Sequence, residues 1–240
     1  MTQQNESLQV EVLEELTSAV NYRKWLISKC YKEVGVRPFE LGSGGGIYAR
    51  ELLHQSQGIE NLTVSEVSQI SLERLRIEFG NSHSVSVIDL RGNYTPVDLH
   101  TSFISWNVLE HIEDDVAALA QANAICDDNS FVFALVPAFP SLMSSFDKKI
   151  GHYRRYTKNT LSATATEAGL RDVKVEYLNF VGWFGWLILM KLGGGNPRDG
   201  LLLKIFDTYL VPILAKAESL VKVPFGQSVV LTARTSGVSK

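Results

Sequence analysis

The sequence has little cysteine and no excess of basic charge, and each shortage excludes a class of protein. Two cysteines in 240 residues, Cys30 and Cys126, cannot form a disulfide framework or a four-ligand zinc site. We therefore expect buried free thiols, a reducing compartment such as the cytoplasm, and no bound metal. The formal net charge of -3 supplies no basic field to attract a polyanion, so we expect no nucleic-acid partner.

The sequence also lacks a long apolar run. The strongest candidate, residues 182–190, is about half the roughly 20 residues that a transmembrane helix needs, and glycines interrupt it. The first ten residues are polar, so we expect no secretory signal. Peripheral contact with a membrane stays open for the apolar run, whereas a spanning helix is not expected.

What is present is the composition of an ordinary globular protein, with 45% hydrophobic and 20% charged residues. We expect one domain over residues 1–240, either a monomer or a homodimer. Short runs rich in β-branched and aromatic residues alternate with helical patterns, which is typical of α/β proteins. Seven strands are predicted, at 34–41, 61–66, 85–89, 103–106, 131–136, 173–177 and 228–234. The pattern predicts a doubly wound, largely parallel seven-stranded sheet whose ligand site lies off the carboxyl ends of the first strands.

Two segments depart from this alternation. Residues 1–33 are predicted to form an N-terminal helical cap, and residues 180–226 a helical lobe inserted before the last strand. Lobes over strand ends are where such sheets vary their substrates, so this one is expected to border the substrate pocket. Its aromatic residues Trp183, Phe184 and Trp186 can line a cavity, rest on a bilayer surface or pack against the sheet.

A cluster of glycines stands where the first strand meets a helix, in the run Phe39-Glu40-Leu41-Gly42-Ser43-Gly44-Gly45-Gly46. Glycines at this place let the backbone turn sharply and approach a ligand closely. Glu66 ends the second strand 24 positions after Gly42, where a carboxylate can accept both hydrogen bonds of a ribose diol. Asp89 ends the third strand, within reach of an adenine amino group.

Glu40 helps to separate two kinds of nucleotide ligand. A carboxylate at the end of a buried strand needs a partner, and a cationic or amine-bearing ligand is one. A diphosphate would be repelled by the same charge, which argues against a dinucleotide.

These residues resemble class I S-adenosylmethionine-dependent methyltransferases, and the resemblance extends from about Tyr22 to Gly169. Glu40 to Gly46 resembles the first motif of that family, Glu66 its ribose-binding acid, Ile88-Asp89-Leu90 its adenine motif, and Trp106 to Ile112 the motif after the fourth strand. Asp127-Asp128-Asn129-Ser130 departs from the Pro-Gly-Gly of many members. The resemblance implies a Rossmann-like methyltransferase fold and S-adenosyl-L-methionine as cofactor. The cofactor residues it implies are Tyr22, Glu40, Gly42, Ser43, Gly44, Gly46, Glu66, Val67, Asp89, Leu90, Asn107, Val108 and His111.

The acceptor side is predicted in the run Lys148 to Lys158, which holds five basic residues in eleven and resembles a segment that borders the acceptor pocket in one branch of the family. His152, assisted by Tyr153, is the first candidate for a general base, and His111 the second. Contacts to the acceptor are predicted for five residues: Arg154, Arg155, Tyr156, Trp183 and Trp186. The arginines would suit an anionic group, whereas the alternative is that His152 and Arg154 hold the loop to the sheet.

The sequence thus predicts transfer of a methyl group to oxygen or nitrogen of a small, partly apolar acceptor, with an anionic group as a further hypothesis. Two alternatives stay open. One is a NAD(P)-dependent oxidoreductase that uses the same glycine turn, and the other is a non-catalytic module that binds a partner through its apolar lobe.

Overall fold

The alternation of strands and helices folds into one seven-stranded sheet. The structure is a computed structural model that describes residues 18–188 and 200–237. The strands are β1 Pro38–Leu41, β2 Leu62–Glu66, β3 Val85–Asp89, β4 His100–Trp106, β5 Cys126–Pro137, β6 Arg171–Leu178 and β7 Ser228–Arg234. Their order across the sheet is β3-β2-β1-β4-β5-β7-β6. Strands β1 to β5 run parallel, and β7 pairs antiparallel with both β5 and β6. The predicted, largely parallel fold is confirmed.

The helices connect the strands on both faces of the sheet. They are α1 Val20–Ile27, α2 Ile47–Gln55, α3 Gln69–Phe79, α4 Asp115–Ile125, α5 Ser145–Lys149, α6 Lys158–Glu167, α7 Phe180–Gly185, α8 Leu201–Ile205 and α9 Val211–Leu220. Side chains cap two of these helices, because the Ser68 hydroxyl accepts from Ser71 N at the start of α3, and Thr157 forms a reciprocal cap with Thr160 at the start of α6.

Strand limits follow local chemistry. β3 and β7 cover the predicted residues, whereas β1 starts at Pro38 rather than at residue 34. Gly35 explains the difference, because its φ of +70° turns the chain before the strand can begin. Cys126 is the first residue of β5 rather than part of the preceding helix. Both cysteines are buried free thiols, as predicted.

Two apolar layers cover the sheet. Leu52, Leu62 and Ile104 belong to the layer on one face, and Phe103, Leu119 and Leu161 to the layer on the other. The sheet's cover on both faces leaves the central strands largely buried, β4 along almost its whole length and β5 from Ser130 to Pro137.

The predicted helical cap and lobe are described in part, because residues 1–17 and 189–199 lie outside the described residues. The described parts contact each other. The buried Asp207 carboxylate accepts from the backbone N–H groups of Asn21 at 3.0 Å and Tyr22 at 2.8 Å, near the start of α1. A negative charge at this end of a helix is favourable. Within the described ranges, the helices are all too short or too polar to cross a bilayer.

Candidate functional site

The glycine turn after β1 requires a left-handed backbone at three positions. Gly42, Gly44 and Gly46 have φ values of +65°, +54° and +78°. A Cβ on Gly42 would come within 2.7 Å of Val108 Cγ2, and one on Gly46 within 2.6 Å of Phe79 Cε2. The turn is therefore closed to side chains on both sides. It presents a bare backbone at the carboxyl edge of the sheet, as the sequence predicted.

Glu66 connects the glycine turn to the end of β2. Its Oε2 accepts from Gly44 N at 3.0 Å, and its Oε1 from Val67 N at 2.7 Å and Ser68 N at 3.2 Å. The carboxylate therefore lies across the cleft between the ends of β1 and β2. A diol that bound here would meet an anion already oriented by three backbone N–H groups.

Glu40 is the most informative residue of the first cluster. Its side chain is buried, with 1% of the residue exposed, and neither carboxylate oxygen has a hydrogen-bond partner among the described residues. The nearby hydroxyls of Ser43 and Ser65 donate instead to its main-chain carbonyl, at 3.4 Å and 2.6 Å. Burial raises the pKa of Glu40 to about 7, an effect that Ser43 and Trp106 partly offset. Such a group favours a cationic ligand.

An aromatic wall stands beside Glu40. The Tyr48 ring stacks on Trp106 with centroids 4.9 Å apart, and the buried Trp106 Nε1 has no hydrogen-bond partner among residues 18–188 and 200–237. Tyr22 packs edge-on against Trp25 and lies near enough to Tyr48 to contribute, after burial, to raising the pKa of the Tyr48 hydroxyl. The sequence analysis named Tyr22 but missed Tyr48 and Trp106 as site residues. An aromatic residue in the first turn after the glycines was the available signal.

The adenine side, at the end of β3, differs from the prediction in one respect. Asp89 forms an ion pair with Arg91, at 2.5 Å between Oδ2 and Nη2, and Arg91 also donates to Gln69 at 2.8 Å. Hydrogen bonds from Arg91 hold the pKa of Asp89 below its ordinary value. Leu90 N donates to Glu66 O at 2.9 Å, so the two strand ends are joined. An adenine contact through Asp89 would have to share the carboxylate with Arg91.

The segment after β4 returns to the glycine turn. Asn107 has a left-handed backbone with φ of +51°, and its N–H donates to Leu135 O on β5 at 2.8 Å. This turn places Val108 against Gly42. The next residues, Leu109–His111, form a short 3₁₀ helix that carries Glu110 and His111 toward the second cluster. The motif predicted after the fourth strand therefore reaches both parts of the site.

A second cluster, here called the imidazole–carboxylate cluster, consists of Glu110, His111, Asp147 and His152. His152 Nδ1 lies 2.9 Å from Asp147 Oδ1, and its Nε2 lies 3.8 Å from Glu110 Oε1. The His111 and His152 rings meet edge to face with centroids 4.5 Å apart. Burial and the neighbouring His152 lower the pKa of His111 to about 3. The structure therefore brings together the two histidines that the sequence proposed separately, and adds two carboxylates that it missed.

Glu110 resembles Glu40 in its burial. The residue is fully buried, and neither carboxylate oxygen has a hydrogen-bond partner in the described part of the chain. Burial raises its pKa to about 8, although the charge of Arg155 acts in the opposite direction. Its backbone carbonyl accepts from Tyr153 N at 2.8 Å, which fixes the two segments of the cluster together.

Arg155 and Tyr156, two of the predicted acceptor contacts, are buried and bonded within the chain, and their role toward an acceptor stays a prediction. The Arg155 side chain is 1% exposed, donates to Asp147 Oδ1 at 2.7 Å and to Ala138 O at 3.1 Å, and lies over the Trp186 ring. The Tyr156 hydroxyl donates to the buried Asp115 at 2.7 Å. Each therefore stabilises the segment after β5 instead of presenting a free polar group.

The other three substrate candidates and Tyr153 are more accessible. Arg154 is partly exposed but paired with Asp115 at 2.7 Å. Trp183 is half-buried among Phe184 and Phe225, and Trp186 donates weakly to Leu142 O at 3.3 Å. Tyr153 is 57% exposed. In this structure the two tryptophans of the lobe pack against other side chains and backbone of the chain. Their role toward an acceptor stays a prediction.

No protein-family model matches the sequence, and no curated protein is detectably similar to it. Solved structures do share the fold. A possible histamine N-methyltransferase from Thermotoga maritima superposes with a TM-score of 0.60 at 15% identity, covering 96% of this chain and 97% of that one. Human N-acetylserotonin methyltransferase, solved with S-adenosylmethionine, gives 0.61 at 14% identity, covering 96% of this chain and 56% of that one. The cyclase SpnF gives 0.57 at 16% identity, covering 89% and 81%. The chain has the fold of the class I S-adenosylmethionine-dependent methyltransferases.

Proposed function

We propose that this protein binds S-adenosyl-L-methionine at the ends of β1, β2 and β3 and transfers its methyl group to oxygen or nitrogen of a small acceptor. The observation that carries the proposal is Glu40, a buried carboxylate beside a bare glycine turn whose oxygens have no hydrogen-bond partner among residues 18–188 and 200–237. A sulfonium and an ammonium group are cations of the kind this carboxylate lacks. Structural neighbours solved with the cofactor support the same choice.

The chain's own residues would mainly bind and align the reactants. The sulfonium supplies the reactive methyl group, so the protein needs to hold the acceptor in line and exclude water. Glu66 would accept from the ribose hydroxyls, and the turn at Gly42 and Gly44 would lie against the methionine part. Tyr48 and Trp106 would close the side of the pocket. A proton from a hydroxyl or amine acceptor would pass to the imidazole–carboxylate cluster.

Within that cluster, His152 is the residue that we propose as the general base, and His111 is not. The pKa of His111 is lowered to about 3, which makes it a weak base. His152 Nδ1 lies 2.9 Å from Asp147 Oδ1 but is not aligned for a hydrogen bond, and a small rotation of the ring would let this carboxylate orient it as in other histidine-based sites. Tyr153, which the sequence grouped with them, is exposed and has its backbone rather than its hydroxyl joined to Glu110.

The proposed acceptor is small and partly apolar, bordered by the half-buried tryptophans Trp183 and Trp186. The hypothesis of an anionic acceptor loses part of its support, since Arg155 is bound to Asp147 and Arg154 to Asp115. A dinucleotide is not favoured either, because a diphosphate at the turn would face Glu40. We retain the cytoplasm as the proposed location on the basis of the two buried free thiols.

Calorimetry with S-adenosylmethionine, its demethylated product and NAD tests the proposal. The first two should bind and NAD should not. Glu66→Ala should weaken binding of both adenosyl ligands at least tenfold, because hydrogen bonds to a charged group contribute about 1.5–3 kcal/mol each. Glu73→Ala, which removes an exposed carboxylate on α3, is the matched control and should leave affinity unchanged. Binding of NAD with no binding of S-adenosylmethionine would refute the proposal.

Methyl transfer itself needs a separate measurement, because the fold also occurs in a cyclase. Incubation with methyl-labelled cofactor and panels of small hydroxyl and amine acceptors should transfer label to at least one. A protein that binds the cofactor but labels none, and whose lobe aromatics are instead needed to retain a partner protein, would be the non-catalytic module.

A further inference from the structure

We propose that Glu110, His111 and His152 form a binding site for one divalent transition-metal ion of the Zn²⁺ type. One possible ligand atom from each residue lies within 4.8 Å of those from the other two. Two imidazoles and one carboxylate are a common ligand set for Zn²⁺ and for Fe²⁺. The sequence analysis predicted no metal, because it considered cysteine spacing and not the approach of two distant segments.

The spacing of the ligand atoms suits an ion between them. Two atoms that bind one tetrahedral ion at roughly 2.1 Å are about 3.4 Å apart. His152 Nε2 and Glu110 Oε1 are 3.8 Å apart, too far for a hydrogen bond and only a few tenths of an ångström beyond that separation. A small movement of side chains would therefore bring both atoms to bonding distance.

The charge of the site also lacks compensation. Glu110 is fully buried, and both of its oxygens are without a hydrogen bond among the residues described. Leaving a buried carboxylate unpaired is costly, so a partner is expected. Arg155, the nearest guanidinium, has its Nε and Nη2 on Asp147 and its Nη1 on the Ala138 carbonyl. A cation between Glu110 and the two imidazoles would supply what the chain does not. With the ion bound, His152 would hold the metal and would not accept a proton, so its proposed role as a base belongs to the metal-free protein.

Groups around the ligands are arranged as they are in metal sites. Asp147 Oδ1 lies 2.9 Å from His152 Nδ1, although the ring N–H is not aligned for a hydrogen bond, and this contact leaves Nε2 as the metal-binding nitrogen. Metal-bound histidines usually have a carboxylate or carbonyl on the other ring nitrogen. His111 is held in the same manner by the backbone of Ile150 and Gly151. Ser144 in turn donates to Asp147 through its N–H and its hydroxyl, at 2.6 Å and 2.7 Å.

The main competing explanation is a protonated His152 that forms ion pairs with Asp147 and Glu110. In this arrangement the positive charges of His152 and Arg155 would balance the two carboxylates. It would, however, be expected to bring Nε2 and Oε1 to about 2.8 Å, the distance of a charge-assisted hydrogen bond. The two explanations differ in what they predict for the purified protein, because only one of them predicts stoichiometric metal binding.

The experiment titrates metal-stripped protein with Co²⁺, without S-adenosylmethionine. We expect one equivalent to bind, with the visible d–d absorption of a cobalt ion in a low-symmetry protein site, and Zn²⁺ to displace it. Glu110→Gln and His152→Gln should each weaken binding more than 100-fold. Asp147→Asn, which keeps the three ligands but changes the contacts to His152 and Arg155, should weaken it about 10–100-fold. Circular dichroism and thermal unfolding would check that each variant is folded.

The control is the double variant His54→Gln, His83→Gln, which removes two exposed histidines of the kind that bind metals nonspecifically. It should keep the full stoichiometry and spectrum. Wild-type protein that takes up no equivalent of Co²⁺ or Zn²⁺ overturns the proposal, whether or not the variants fold. Loss of binding in the control double variant also overturns it. Because the titration omits the cofactor, failure here leaves the calorimetric test of the proposed function unaffected.

Discussion

Glu40 and Glu110 are two buried carboxylates at the same edge of the sheet, with 1% and 0% of each residue exposed. Burial raises the pKa of both, to about 7 and about 8. Their neighbours differ. Glu40 faces the neutral Ser43 and Trp106, and the nearest charge that affects it is the anion Glu66. Glu110 faces imidazoles, with Arg155 and Asp147 beyond them.

The difference indicates what each carboxylate can bind. A carboxylate beside neutral groups depends on a cation brought by a ligand, and the glycine turn next to Glu40 offers such a ligand backbone without side chains. A carboxylate beside two imidazoles can be compensated locally, by a proton on His152 or by a metal ion. The same residue type thus marks a cofactor pocket in one place and a small ionic centre in the other.

The largest predicted effect concerns the ion pair near Glu110. Arg155→Met should destabilise the protein by about 3–5 kcal/mol, because it leaves Asp147 as an unpaired buried charge. For a chain of this length, such a loss lowers the melting temperature by on the order of 10 °C. Thermal unfolding at neutral pH measures it.

Arg171→Ala is the matched control, since the Arg171–Asp128 pair has a similar length of 2.8 Å but is exposed. Its cost should be at most about 1 kcal/mol. If Arg155→Met keeps the wild-type stability and only weakens binding of an acceptor, then the predicted substrate role of Arg155 is right. The surroundings of Glu110 would then not be an ion-paired centre, and the comparison of the two carboxylates would fail.

The second prediction concerns the pH dependence of stability that Glu40 causes. A carboxyl whose pKa rises on folding, here to about 7 for Glu40, binds its proton more tightly in the folded protein. Its protonated form is therefore accommodated at low pH, and stability decreases as pH rises from about 4.5 to 7. Glu40→Gln should remove this decrease and stabilise the protein at pH 8 by up to about 3 kcal/mol.

Chemical denaturation of wild type and Glu40→Gln at pH 5 and pH 8, without ligand, makes the measurement. The two proteins should be nearly equal at pH 5 and diverge at pH 8. Glu73→Gln, at an exposed site, should follow wild type at both values. A Glu40→Gln variant that is less stable than wild type at pH 8 would mean that the carboxylate has a partner within the protein.

Much of the first half of the sheet could be predicted from sequence, because its signals are local. The glycines at 42, 44 and 46 report their own backbone geometry, and Glu66 and Asp89 follow directly from where β2 and β3 end. Ser68 and Thr157 likewise mark the helices that they cap. In each case the residue and its structural reason are a few positions apart.

The imidazole–carboxylate cluster could not be predicted in the same way, because it depends on segments about 40 residues apart. Glu110 and His152 meet only after β5 and α5 have placed the second segment beside the first. The buried ion pair of Arg155 was not predicted for the same reason. Five basic residues in eleven suggest a cationic surface. One of them, Arg155, is instead buried in an ion pair with Asp147, eight positions earlier.

The smallest predicted effect connects Glu40 directly to its ligand. At pH 6.5 a carboxyl with a pKa of about 7 is mostly protonated, so binding a sulfonium cation beside it should release roughly three-quarters of a proton. Calorimetry of S-adenosylmethionine binding in buffers of different ionisation enthalpy measures that number. Glu40→Gln should release none, whereas Glu110→Gln, which changes the other carboxylate, should release the wild-type amount. Equal proton release by wild type and Glu40→Gln would show that the cation does not lie against Glu40, and the contrast between the two carboxylates would then need another cause.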